Sequence, residues 1–151
     1  MREQQQLLDW MDEVRVDMGA QMETIPSSAE ICPGWTVKEV LVHISGWEII
    51  TRKAIQNYLK DGPPFLLETM DVDACNADMV QERKAWSLEE TVKEWEESRA
   101  ELKAAIMELD EEDFAEEILF PWGPEGTIQE MLEVIVEHEE WHAQEISRFQ
   151  Y

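Results

Sequence analysis

The chain has 151 residues, of which 44% are apolar and 31% charged, a composition typical of one globular domain rather than of a disordered chain. Acidic residues outnumber basic ones by 35 to 12, and the net charge of −23 argues against the basic surface that DNA, RNA or an anionic membrane would require. We therefore predict a single domain over residues 1–151 that binds neither nucleic acid nor membrane.

The start of the chain and its cysteines indicate a reducing compartment. Residues 1–6 are polar where a signal peptide would turn apolar, and no apolar run approaches the ~18 residues of a membrane-spanning helix. Cys32 and Cys75 match no spacing of paired metal ligands or redox cysteines. We expect a cytoplasmic protein with two free thiols, while a disulfide between them stays open.

The first predicted helix runs from residue 2 to about 23, because apolar residues recur there every three or four positions. Its apolar residues exceed what one core needs, so this helix is a candidate homodimer face. The residues in question are Trp10 and the methionines at positions 1, 11, 18 and 22.

The second predicted helix begins at a capping box formed by Thr36 and Glu39. The hydroxyl and the carboxylate of such a pair satisfy backbone N–H groups that a first helical turn leaves unpaired. We expect this helix to reach about Lys60, before the breakers at 61–64.

Residues 65–86 are the hardest segment to interpret. Their aspartates and Asn76 suggest turns and caps, and residues 77–84 suit either a short helical turn or the extended start of the next helix.

A third helix is predicted from the capping box of Ser87 and Glu90 to about Glu108. The acidic runs at 89–101 and 110–117 are interpreted as a solvated helix face and a charged connection.

The fourth predicted helix follows the turn at 120–126, whose prolines and glycines cannot continue a helix. It opens with the capping box of Thr127 and Glu130 and lasts to about Phe149. No segment alternates at period two for long enough to make a sheet. The predicted fold is therefore all-α, a four-helix bundle with long connections.

All three histidines of the chain fall on inward-facing stripes of predicted helices. His138 and His142 are four residues apart, so both imidazoles can face one point on the same side of the fourth helix. His43 lies on the apolar face of the second helix. The fourth helix is expected to bury the stripe that carries its histidines and to leave its acidic residues mostly outside. That stripe comprises Met131, Val134, Ile135, Trp141, Ile146 and Phe149.

A histidine pair at this spacing is often only a pair of core residues, but a third inward histidine favours a metal site. Neutral imidazoles suit zinc, nickel, copper or iron. Three protein ligands on a tetrahedral ion leave a fourth position for a water or a thiol, either of which the ion can convert to a nucleophile. Glu48, Glu139 and Glu145 lie near the histidines in sequence. Each is a candidate general base, fourth ligand or orienting partner, and no catalytic residue is assigned.

Tryptophans and a cysteine also lie near the histidines in sequence. Trp35, Trp47 and Trp141 are favoured as core packing, with the walls of a small apolar pocket as the alternative. Cys32 precedes the second helix and is favoured as a buried spectator thiol, with a redox or ligand role as the alternative.

Three motifs resemble those of the DinB/YfiT-like family. They are Gly34 to His43 (GWTVKEVLVH), the turn Phe120 to Gly123 (FPWG) and Glu137 to His142 (EHEEWH), and the likeness extends over about residues 7–149. The resemblance implies a four-helix bundle that binds a divalent metal ion, with zinc or nickel favoured, near one end. Its three histidine ligands match His43, His138 and His142. Some relatives are thiol-dependent transferases or isomerases, others have no assigned reaction, and a related branch comprises self-resistance hydrolases.

The function predicted from these observations is that of a metal-dependent enzyme. Its three-histidine site would activate a thiol or water for S-transfer to, or hydrolysis of, a small electrophile, with a low-molecular-weight thiol as candidate cosubstrate. The alternative is a non-catalytic bundle that binds or sequesters a small molecule, including a protein of the self-resistance type.

Overall fold

The computed structural model describes residues 2–149. In chain order, its elements are α1 (Arg2–Met22), α2 (Val37–Leu59), α3 (Val72–Glu82), α4 (Leu88–Met107), α5 (Glu111–Phe114), β1 (Glu117–Leu119), β2 (Glu125–Thr127) and α6 (Ile128–Ser147). Met1, one member of the predicted dimer face, lies outside the described residues, as do the last two positions of the predicted domain.

The four long helices α1, α2, α4 and α6 form the predicted bundle. Helix α2 packs along α4, and α1 packs along α6, while α2 also contacts α6 and so brings the histidine-bearing helices together. Their apolar stripes meet in the core, where burying each large side chain contributes roughly 1.5–3 kcal/mol. Among the fully buried side chains are those of Met11, Met18, Leu41, Ile44, Ile55, Leu102, Ile106, Met131 and Ile146.

Each predicted capping residue stands at the start of a helix. The Glu39 carboxylate accepts a hydrogen bond from the backbone N–H of Thr36 at 2.9 Å. The hydroxyls of Ser87 and Thr127 each accept from the backbone N–H three residues later, at 3.1 Å. The starts of α2, α4 and α6 are therefore fixed by local chemistry that the sequence displays.

The middle segment differs from the expectation. Helix α3 has eleven residues and begins at Val72, earlier than the short turn considered at 77–84. It lies close against α2 because Gly46 has no side chain, since a Cβ there would overlap the sulfur of Met79. Met79 is the one buried residue of α3, so the helix lacks the apolar stripe by which periodicity is recognised.

A small antiparallel sheet corrects the expectation that no sheet forms. Strands β1 and β2 pair with Glu117 opposite Thr127 and Leu119 opposite Glu125. Each strand has three residues, too few to display a period of two. The turn between them contains Gly123, whose φ of +115° is a backbone conformation that glycine adopts readily.

Two expectations about exposed faces were wrong. Val134 and Trp141 do not belong to the buried stripe of α6, because they are 44% and 55% exposed.

Met11 and Met18 are fully buried in the core and are unavailable for a dimer face. Trp10 is half-buried and donates its indole N–H to Glu140 Oε2 at 2.8 Å. The homodimer stays a prediction, without Met11 and Met18, while Met22 is half-buried.

Among the helices of residues 2–149, none is both long enough and apolar enough to cross a membrane.

Candidate metal centre

The bundle brings the three predicted histidines into direct contact. Helix α2 contributes His43, and α6 contributes His138 and His142 from successive turns. His138 Nε2 lies 2.7 Å from His43 Nε2 and 3.1 Å from His142 Nε2. The ring planes are steeply inclined to one another, at 75° and 85°, so the rings meet through their nitrogen-bearing edges and do not stack.

The imidazoles are neutral at physiological pH because they are buried together. Burial, together with the neighbouring His138 and His142, lowers the pKa of His43 to about 3. Burial likewise lowers the pKa values of His138 and His142 to about 4. Neutral imidazole is the form that binds metals, so the lone pairs needed for coordination are available.

The site fits a divalent metal ion. Three ring nitrogens face one point, and hydrogen bonds among neutral imidazoles cannot satisfy all of their lone pairs at once. The Nδ1 atom of His43 is buried and has no hydrogen-bond partner of good geometry among residues 2–149, although the nearby Asn76 side chain slightly raises the pKa of the ring. A cation of the zinc or nickel type would use all three Nε2 atoms as ligands.

Glu145 is the one of the three nominated glutamates that contacts a histidine. Its Oε1 lies 3.2 Å from Nδ1 of His142, one helical turn earlier. A carboxylate that accepts the Nδ1 proton leaves the lone pair on Nε2, which is the nitrogen that faces the other imidazoles. Glu145 is therefore placed to orient a ring.

Glu48 and Glu139 instead belong to a buried charge cluster, which we define as Arg15, Glu48, Arg99 and Glu139. Both glutamates are fully buried, so Glu139 is an exception to the expectation that the acidic residues of α6 lie mostly outside. Arg99 Nε lies 3.1 Å from Glu48 Oε2, and Arg99 Nη2 also bonds Glu139. Arg15 Nη2 lies 2.6 Å from Glu48 Oε1, and its Nε lies 2.8 Å from Glu139 Oε1.

The charge cluster takes one residue from each long helix, and its formal charges sum to zero. Its remaining donors bond to the backbone, where Arg99 donates to the Met11 carbonyl at 2.8 Å and Arg15 to the Trp95 carbonyl at 2.6 Å. Residues 89–101 were expected to form a solvated helix face, and this expectation was wrong for Arg99, which is buried. Because their oxygens bond to guanidinium groups, Glu48 and Glu139 are poorly placed to act as bases.

An apolar cavity of about 280 Å³ opens beside the histidines. His43 and His138 form part of its wall, so it adjoins the point at which the ring nitrogens meet. Its other lining residues are Trp47, Val72, Asn76, Trp122, Val134 and Ile135.

The candidate tryptophans and Cys32 differ in their burial and in the groups they contact. Trp47 is buried and also lines the cavity, so both of its predicted roles apply. Trp35 packs on His43 with ring centroids 5.1 Å apart, and the exposed Trp141 packs on His142 at 5.0 Å. Cys32 is a free, half-buried thiol whose pKa is raised by burial and by the nearby Glu145 and Glu30. Cys75 is also free, so no disulfide joins the two.

Four residues around the site escaped the sequence reasoning. Asn76 and Trp122 reach the cavity from α3 and from the turn between the strands, and neither carries a signal of that role. The positions of Arg15 and Arg99 in the sequence did carry a signal that they are buried. Each occupies a core position of its helical repeat, four residues after one buried side chain and three before another, namely Met11 and Met18 for Arg15, and Trp95 and Leu102 for Arg99.

Comparison with known sequences shows which family and which protein the chain resembles. A family model described as the DinB superfamily matches residues 2–146. The uncharacterized protein YuaE of Bacillus subtilis (strain 168) is 29% identical over 127 residues, which are 78% of this chain and 75% of that protein.

Solved structures share the fold. An uncharacterized protein from Clostridium difficile 630 superposes with a TM-score of 0.79 at 15% identity, over 96% of this chain and 94% of that one. The mycothiol-dependent maleylpyruvate isomerase superposes with a TM-score of 0.76 at 16% identity, over 95% of this chain. The match spans 60% of the isomerase chain.

Proposed function

The chain belongs to the DinB superfamily, and from that premise we propose that it is a divalent-metal-dependent enzyme that activates a thiol or water for S-transfer to, or hydrolysis of, a small electrophile. His43, His138 and His142 would hold the ion, with zinc or nickel the best match to three imidazoles. The observation that carries the proposal is the meeting of three buried, neutral imidazoles at their Nε2 atoms.

When bound, the ion would supply Lewis-acid chemistry, which provides a nucleophile at neutral pH. The chain's own residues prepare the site for it. Burial keeps the imidazoles unprotonated, Glu145 accepts the Nδ1 proton of His142, and the apolar cavity lies open beside the imidazoles where a substrate could bind.

The surroundings favour a thiol over water as nucleophile. Within residues 2–149, Glu145 is the carboxylate hydrogen-bonded to an imidazole, while Glu48 and Glu139 are held by arginines. A site with little general-base capacity suits a thiol, whose ordinary pKa of about 8.5 lies far below that of water. The mycothiol dependence of the isomerase that shares the fold agrees with a low-molecular-weight thiol as cosubstrate.

The second candidate function is a non-catalytic bundle that binds or sequesters a small molecule, including a self-resistance protein. It is favoured by the apolar cavity, which would serve binding without any reaction. It predicts that ligand binding survives removal of the metal by a chelator.

Metal analysis of protein purified without chelator tests the site. We expect about one zinc or nickel ion per chain, lost in His138→Ala and retained in Gln144→Ala, an exposed control on the same helix. A stoichiometry near zero that His138→Ala leaves unchanged would defeat the proposal.

A turnover assay separates the two functions. Model electrophiles are incubated with several cellular thiols or with none, using metal-loaded and chelated protein. The enzyme proposal predicts turnover that requires both the metal and His138. If neither metal nor thiol changes the rate, the binding function replaces it.

A further inference from the structure

The cavity beside the histidines differs in charge from the rest of the molecule. None of its eight lining residues is Asp, Glu, Lys or Arg, although the protein carries a net charge of −23. Three other cavities of the described chain each include charged side chains, such as Glu117 and Glu125 in the 360 Å³ cavity at the hairpin. Apart from the proposed ion itself, an ionised group placed beside the histidines would find no counter-charge in the lining.

Two indole rings form flat walls of this cavity. Trp47 and Trp122 stand at 86° to each other with ring centroids 5.9 Å apart. Offset and edge-on contacts with such rings favour a flat, unsaturated group over a bulky aliphatic one. The volume of about 280 Å³ suits a group of one ring or its equivalent.

One polar side chain has a fixed orientation in the lining. The indole N–H of Trp47 donates to Asn76 Oδ1 at 2.8 Å. Because an indole nitrogen can only donate, this bond assigns the oxygen of the amide to Trp47 and leaves the Nδ2 hydrogens for another acceptor. Asn76 therefore offers a hydrogen-bond donor to whatever occupies the cavity.

From these three features we propose that the cavity binds an uncharged, flat, unsaturated group bearing a carbonyl-type oxygen, which accepts a hydrogen bond from Asn76 Nδ2. Asn76 is then a specificity-determining residue, because it selects the acceptor and orients the flat group beside His43 and His138. The inference rests on the proposed function in one respect, that the molecule so bound is the substrate.

Three small probes of similar shape test the chemistry. Benzamide is flat, uncharged and bears a carbonyl, benzoate is its anionic counterpart, and toluene lacks the acceptor. Binding is followed by NMR through the indole N–H signals of Trp47 and Trp122, with both metal-loaded and chelated protein. We expect saturable shifts with benzamide, and at least fivefold weaker binding of benzoate in the chelated protein.

A matched pair of variants tests the role of Asn76. Asn76→Asp keeps an oxygen for the Trp47 indole but removes both donor hydrogens, so benzamide should bind roughly fivefold more weakly while toluene changes less than twofold. Asn57→Asp makes the same chemical change far along α2 from the cavity and should alter neither. Because the Trp47 N–H bonds residue 76 directly, the Trp122 indole is the control, and an unchanged Trp122 signal in ligand-free Asn76→Asp verifies that the cavity is intact.

Each outcome separates this inference from the proposed function. Benzoate binding as tightly as benzamide to chelated protein, or benzamide affinity unaffected by Asn76→Asp, would overturn the inference and leave the metal site standing. Indole signals of Trp47 and Trp122 that benzamide leaves unshifted at every concentration tested would also overturn it. Conversely, a metal stoichiometry near zero in the purified protein, together with benzamide binding that depends on Asn76, would refute the proposed enzyme and retain the cavity chemistry.

Discussion

The orientation of His142 depends on a single carboxylate. Glu145 lies three residues further along α6, and its Oε1 is 3.2 Å from Nδ1 of the imidazole. An anionic acceptor at Nδ1 fixes the tautomer and makes Nε2 a better ligand. His142, the third proposed ligand, is thus oriented by a residue of its own helix.

Glu145→Gln should weaken metal binding about tenfold, because the amide keeps an oxygen near Nδ1 but loses the negative charge. The free energy of unfolding should change by less than about 0.5 kcal/mol, since Glu145 is half-buried and its side chain bonds His142 on its own helix. Competition with a chromophoric chelator measures the affinity, and urea unfolding measures the stability. Glu137→Gln, an exposed charge beside His138, is the control. Equal weakening in both variants would show that net charge, rather than orientation, sets the affinity.

Two secondary-structure elements that periodicity did not reveal complete the cavity. Helix α3 supplies Asn76, and the turn between β1 and β2 supplies Trp122. Both elements are short and bury few side chains, so local contacts must hold them in place. The close approach of Met79 to Gly46 holds α3 on α2. The short helix α5 directly precedes β1. It is held at the other end of α2, where the Tyr58 hydroxyl donates to Asp113 Oδ1 at 2.7 Å.

The contact of α3 with α2 predicts that Gly46→Ala destabilises the protein when Met79 is present and stabilises it when Met79 is replaced by alanine. Alanine normally stabilises a helix interior by about 1 kcal/mol relative to glycine. In the otherwise unchanged protein, the added methyl overlaps Met79, so we expect a loss of about 1 kcal/mol. With Met79→Ala the overlap is gone, and Gly46→Ala should then stabilise. Urea unfolding of the four proteins measures both effects, and a stabilising Gly46→Ala in both backgrounds would contradict this account of α3.

The contact of α5 with α2 predicts a pH-dependent effect of Tyr58→Phe. Burial would raise the pKa of Asp113, but the backbone N–H of Asp110 and the Tyr58 hydroxyl outweigh it and hold the pKa below its ordinary value. A lowered folded pKa stabilises above the unfolded value of 3.8, and this stabilisation disappears as the pH falls through the folded value. Tyr58→Phe should therefore destabilise by about 0.5–1 kcal/mol at pH 7 and by less near pH 3.

Urea unfolding at several pH values between 3 and 7 checks that effect. In the Asp113→Asn background, where residue 113 cannot ionise, the destabilisation caused by Tyr58→Phe should no longer vary with pH. A loss in Tyr58→Phe that is the same at all pH values would show that packing of the ring, rather than the charged hydrogen bond, holds α5.

For the whole molecule, the sequence predicted the bundle and the meeting of the histidines, because both follow from long, well-capped amphipathic helices. The inward position of His43 on α2 could be judged from its own neighbours alone. The burial of Glu139 could not, because it depends on Arg99 and Arg15, which are 40 and 124 positions away along the chain. A glutamate in an acidic helix is normally exposed, and only folding reveals two arginines opposite it.

The charge cluster links the four long helices at one level, and two of these helices carry the proposed metal ligands. Glu48 lies on α2 with His43, and Glu139 follows His138 on α6. Arg99 contacts both carboxylates, so it links the two ligand-bearing helices through α4. The cluster should therefore influence metal affinity as well as stability.

Removing one member of the cluster should cost far more than removing a surface ion pair. Arg99→Met leaves two buried carboxylates to share Arg15, and we expect a loss of about 3–5 kcal/mol. Lys103→Met breaks the exposed contact with Asp12, which joins the same helices α4 and α1 at 2.6 Å, and should cost less than about 1 kcal/mol.

The double variant of the cluster tests whether its charges act as a unit. Arg99→Met combined with Glu48→Met leaves Arg15 paired with Glu139, one positive and one negative charge, so no carboxylate is stranded. Its loss in urea unfolding should be smaller than the sum of the two single losses by roughly 2 kcal/mol. Metal affinity should fall in Arg99→Met and recover in part in the double variant, because α2 and α6 regain a neutral interface. Strictly additive losses, or a metal affinity that Arg99→Met leaves unchanged, would show that the cluster is separate from the histidine site.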